Sequence, residues 1–166
     1  MAALTGAIAA KLLKAVISDY NYWGESESDS PLAIKRTKSV FDDKKILSLD
    51  ASARRKAMQT EDYKAPERTI RTESLLNVFI PLVRNSCQEL QQKSDAFLNE
   101  KAGIETMQSS AEAVEYYVQL YSAFGQLKEP KVCYVEDTSD PYTGLFIVGC
   151  ATDGETVYAQ ALLTQT

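Results

Sequence analysis

A chain of 166 residues with 45% hydrophobic and 25% charged content is long enough to bury a full core in one domain, and this ordinary composition excludes global disorder. It contains no histidine, which excludes Ser/His/Asp and Cys/His nucleophile activation and every His-containing zinc site. The net charge of -5 and the isoelectric point near 4.9 argue against direct nucleic-acid binding, which needs a basic footprint.

Leu4, Ile8, Leu12, Ala15 and Val16 recur at three- and four-residue spacing, which predicts a first helix to about Ser18 with Lys11 and Lys14 off its apolar face. This opening stretch faintly resembles an organelle-targeting helix, but it lacks arginine and an obvious cleavage site, so we read it as the first helix of the fold. An aromatic cluster of Tyr20, Tyr22 and Trp23 follows, then Gly24-Glu25-Ser26-Glu27-Ser28-Asp29-Ser30-Pro31, a polar, acidic stretch closed by proline and expected as an exposed loop. Leu32 to Val40 alternates roughly, with Lys35, Arg36 and Lys38 marking it as an edge strand.

Between Phe41 and Arg71 no period stands out. Short strands are expected at Ile46–Leu49 and Arg68–Arg71. The charge is uneven here: Pro31 to Arg71 holds eleven of the 18 Lys and Arg residues against six Asp and Glu. Such a region is either a solvated connection or a docking surface for an acidic partner.

From Leu75 and Leu76 to Leu82 a short helix is expected to kink or restart at Pro81, after which Val83, Cys87, Leu90, Ser94 and Phe97 keep a helical rhythm as far as Gly103. Val114, Tyr117, Val118, Tyr121 and Phe124 predict a second long amphipathic helix over Ser110–Leu127. Past Pro130 the period becomes two. Lys131–Glu136 is a short strand, Leu145–Ala151 a continuous apolar run typical of a central strand, Thr152-Asp153-Gly154 a hairpin turn, and Thr156–Thr164 a closing strand. That strand stops just short of Thr166, so the terminal carboxylate is expected at a defined edge of the domain.

The three cysteines, Cys87, Cys133 and Cys150, are far apart and set among apolar neighbours, which predicts inert core thiols in an intracellular, reducing compartment, with cytoplasm and organelle interior both open. No apolar run approaches the ~20 residues that cross a bilayer. Calcium-loop, dinucleotide and phosphate-loop signatures are absent, and the adjacent pairs Asp42/Asp43 and Glu61/Asp62 read as surface charge. What remains is a carboxylate-rich loop that can mimic the anions a cation-lined site attracts.

Three stretches carry a resemblance to a known family: Ser26-Glu27-Ser28-Asp29-Ser30-Pro31 after a first helix, Leu120 to Val135 around Lys128-Glu129-Pro130-Lys131-Val132, and the block from Leu145 through Thr152-Asp153-Gly154 to the closing Thr164-Gln165-Thr166. Together they resemble the NuiA-like inhibitors of sugar-nonspecific nucleases. The resemblance implies an α+β fold of the α/β/α sandwich type, with a mainly antiparallel C-terminal sheet packed against long helices. It implies no enzymatic activity, no cofactor and no metal site of the chain's own. The partner it implies is a Mg-dependent nuclease, met by Glu25, Ser26, Glu27, Ser28, Asp29, Gln165 and Thr166. Glu27, or Glu25 in the alternative register, would pair with a nuclease arginine, and Thr166 would reach the partner's metal. Residues 1–166 form a single domain on this reading, with a basic, poorly patterned insertion at about 41–71 that the family pattern does not contain. The alternative is an accessory subunit of a larger assembly, docked through Tyr22, Trp23, Lys35, Arg36, Arg54 and Arg55, since aromatic and arginine side chains are the usual anchors.

Overall fold

The computed structural model describes residues 4–19, 23–24, 31–59, 62–137 and 141–164. In chain order the elements are α1 (Gly6–Asp19), β1 (Ala33–Thr37), α2 (Asp43–Met58), β2 (Thr69–Ser74), α3 (Leu75–Leu98), α4 (Ile104–Gly125), β3 (Lys128–Glu136), β4 (Tyr142–Cys150) and β5 (Thr156–Thr164). The strands form one sheet of order β1-β5-β4-β3-β2, antiparallel at every step. This is an α+β fold. The apolar run of β4 occupies the middle of the sheet because both of its faces are covered: Leu145 and Ile147 enter a core shared with α1, α3 and α4, and Phe146 and Val148 pack under α2. On β5, Val157 and Ala159 join the first core and Tyr158 the second.

Within the region expected to lack pattern, α2 forms a layer over one face of the sheet and β2 adds an edge strand. The expected strand at Ile46–Leu49 is part of α2. Asp42 caps this helix by accepting from the Lys45 amide at 2.9 Å, Arg55 and Lys56 sit in its last turn, and Gln59 closes it in the left-handed conformation at φ 57°. Its buried stripe is Ile46, Asp50 and Arg54. Two of those three are charged, and that is why hydrophobic periodicity did not reveal the helix. The strand expected at Arg68–Arg71 exists as β2, displaced to Thr69–Ser74.

α3 runs unbroken through Pro81, where a kink or restart was expected. Ser74 caps it by accepting from the Asn77 amide at 3.1 Å. Proline in a helix interior costs about 3 kcal/mol, and burial of Leu75 and Phe79 on one side of the helix offsets that. α3 stops at Leu98, and Gly103, expected to end that helix or its trailing turn, closes the turn and serves as the N-cap of α4.

The layer of α1, α3 and α4 shows a consistent rotation from the expected faces. On α1 the buried residues are Ala9, Ala10 and Leu13, while Ile8 is 52% and Leu12 40% exposed. On α4 Ala113, Tyr116, Leu120 and Ala123 join Tyr117 and Phe124 inside, and Val118 turns outward. Small side chains let these helices lie close to the sheet, which leaves several large ones on the outer surface. The same rotation exposes Cys87 on α3, contrary to the expectation of a core thiol; Cys133 is buried and Cys150 half-buried.

Candidate functional site

Glu25, Ser26, Glu27, Ser28 and Asp29 of the acidic segment, the aromatic Tyr22, and Gln165 and Thr166 lie outside the described residues. Their anchors do not. Ahead of the acidic segment, Trp23 is buried, its ring edge-on to Phe79 at 5.6 Å and to Tyr117 at 6.2 Å. The Gly24 amide donates to the Tyr117 hydroxyl at 2.8 Å. Burial pushes the Tyr117 phenol above its ordinary pKa, with the Gly24 bond opposing, so the hydroxyl stays neutral at physiological pH. Trp23 is therefore core, and its expected role as a docking residue is corrected: an indole held against two aromatic rings has no face left for a partner.

Behind the acidic segment, Leu32 and Ile34 enter the core and carry the chain into β1. β1 pairs with β5 so that Ala33 lies opposite Gln160 and Thr37 opposite Thr156. Antiparallel pairing places the start of β1 beside the end of β5. Pro31 and Thr164 consequently line the same cleft, a space of about 760 Å³ between α2 and the sheet, together with Lys35, Ser52, Lys56 and Gln160.

The basic residues between Pro31 and Arg71 separate into two groups. Arg54 is fully buried, which corrects its assignment to a docking surface. Its Nε donates to Asp50 Oδ2 at 2.7 Å and its Nη2 to the Val135 carbonyl at 2.8 Å. Arg68 donates to the same Asp50 oxygen at 2.5 Å, to the Leu47 carbonyl at 3.1 Å and to the Pro66 carbonyl at 2.9 Å. One carboxylate thus ties α2, β3 and the segment before β2 together. Gly144 on β4 makes room for it, because a Cβ there would stand 2.0 Å from Asp50 Oδ1. Lys35, Arg36 and Arg55 remain exposed. Arg36 is half exposed and pairs with Glu155 at 3.3 Å, an arrangement worth about 0–1 kcal/mol at a surface.

Sequence reasoning missed the cleft, Gln160 and the Asp50–Arg54–Arg68 cluster. The Asp50/Arg54 spacing of four residues was a readable signal for a helix, but burial of the pair depends on Val135 and Arg68, which are distant in sequence. Compared with known proteins, the sequence matches no family model, and no curated protein matches it. Among the described residues no helix is long and apolar enough to cross a membrane.

Proposed function

We propose that the chain is a non-enzymatic protein that inhibits a Mg-dependent, sugar-nonspecific nuclease by presenting its acidic segment and its C-terminus to the nuclease active site. The observation that carries this reading is the shared position of the two anchors. Pro31, which closes the acidic segment, and Thr164, which precedes the terminus, line one cleft on neighbouring strands, so segments that leave the fold from them start out as neighbours. Trp23 and Gly24 fix the other end of the acidic segment. On this reading Glu27 or Glu25 offers an arginine of the partner a charge-assisted hydrogen bond where a scissile phosphate would sit. An oxygen donor at Thr166 is a hard ligand suited to Mg²⁺. The test is cleavage of DNA by a nonspecific ββα-metal nuclease with the full chain and with Thr166 deleted. Inhibition by the full chain that weakens on deletion supports the reading; undiminished cleavage at micromolar protein sinks it.

A second reading, an accessory subunit of a larger assembly, is favoured by the outer surface of the helical layer. Ile8 and Leu12 on α1, Leu76 and Ile80 on α3 and Val118 on α4 are each 40% exposed or more. Exposed apolar side chains of this size mark contact surfaces when they are grouped. On this reading docking shifts from the basic middle region to the helices. Light scattering and co-purification from the native source separate the two: a monomer that brings down no other protein counts against a subunit.

A further inference from the structure

The cleft between α2 and the β1–β5 edge has features that nuclease inhibition does not use. Its volume of about 760 Å³ is in the range of small-molecule sites. Leu49, Ala53 and Ala57 supply apolar wall from α2, and Leu162 supplies it from β5. Lys35 and Lys56 stand on the strand and helix sides, and among the described residues no acidic side chain lines the cleft or pairs with either lysine. Strand alternation explains Lys35: Ile34 enters the core beneath α1, so its neighbours Ala33 and Lys35 face α2. Gln160 also lines the cleft and is 8% exposed. Its Nε2 donates to the Leu49 carbonyl at 3.2 Å, and its Oε1 has no hydrogen-bond partner among the described residues. A buried acceptor without a donor is uncommon in a folded chain and asks for an explanation.

We propose that this cleft binds a small organic anion that carries an N–H or O–H donor on a compact apolar body. The anionic group sits between Lys35 and Lys56, the donor meets Gln160 Oε1, and the apolar body lies along Leu49, Ala53 and Leu162. The site stands independently of nuclease inhibition, since every group in it belongs to this chain and no partner is required.

A carboxylate and a phosphate monoester share this chemistry, and a titration of the full ¹⁵N-labelled chain followed by amide NMR distinguishes them. N-acetylphenylalanine is compared with its uncharged amide, and adenosine 5′-monophosphate with adenosine. Saturable shifts at the Lys35, Ala53, Lys56 and Gln160 amides are expected with at least one anion, and the anion that binds identifies the class. The uncharged counterpart and the Lys35→Gln/Lys56→Gln variant should each bind about fivefold more weakly, as two surface charge contacts allow. Both lysines are exposed, so the variant keeps its fold. Ala53→Phe, which fills the cleft, should abolish the shifts. Absence of saturable shifts with both anions overturns the proposal, as does equal affinity for the uncharged counterpart or unchanged affinity in the lysine variant.

Discussion

At Asp50 a single carboxylate accepts from two guanidinium groups in a place that water scarcely reaches. Truncating one member of such a cluster leaves the others charged and buried, so Asp50→Ala should cost about 3–5 kcal/mol, read as a lower midpoint in urea unfolding. Asp153 works at the surface and through the backbone. Its carboxylate accepts from the amides of Glu155 and Gly6, and the Glu155 bond is the main reason its pKa lies below the ordinary value of 3.8. A depressed folded pKa means that the contribution is complete above the unfolded pKa and disappears as the pH falls through the folded one. The stability difference between the native chain and Asp153→Ala should therefore be present at about pH 6 and shrink towards about pH 3; a pH-independent difference would show that the carboxylate charge is irrelevant. Little of this was legible in the sequence. Asp153 was readable as part of a turn, and that turn is there, with Gly154 at φ 86°. Its second role, holding the first residue of α1, joins positions 147 apart in the chain, and local pattern carries no trace of it.

Among the elements, α2 and α3 tell most about what local pattern reveals. α2 was hidden because its buried stripe alternates an isoleucine with an ion pair, and its layer role follows from the second core of Phe146, Val148 and Tyr158 beneath it. Ile46 is fully buried there, so Ile46→Ala should cost about 2–5 kcal/mol. A cost near zero in denaturant unfolding would return residues 41–71 to a dispensable insertion. α3 was visible, but proline was weighed as a local breaker when packing decides the outcome. Pro81 is exposed, as is its neighbour Ile80 at 41%, so replacing it by alanine restores a helical amide without disturbing the core and should raise stability by about 1–3 kcal/mol in the same measurement. The antiparallel strands β3, β4 and β5 came through most clearly, because period two, a Gly-containing turn and an apolar central run all agree there. Helix faces were legible only to within one residue. Large apolar residues were assigned inward, whereas close approach to the sheet selects Ala9, Ala10, Ala113 and Ala123.

For the molecule as a whole, one geometric consequence of topology dominates. Making β1 and β5 neighbours brings positions 31 and 164 to one cleft, although they are nearly a full chain apart. The acidic segment and the ordered C-terminal strand were each readable from residues alone; their common edge was not, since strand order is a property of the sheet. The acidic balance of the chain, a net charge of -5, is the electrostatic premise of the proposed inhibition. Burial of Arg54 and Trp23 takes two of the expected docking residues into the core, while Lys35, Arg36 and Arg55 stay at the surface. The most direct test is the rate of DNA cleavage by a Mg-dependent nonspecific nuclease at fixed inhibitor and rising DNA concentration, with the native chain and with a Glu25→Gln/Glu27→Gln variant. If the edge occupies the active site, excess DNA relieves the inhibition and the variant inhibits far less. Inhibition that is indifferent to DNA concentration, or a nuclease that cleaves at full rate throughout, contradicts the account.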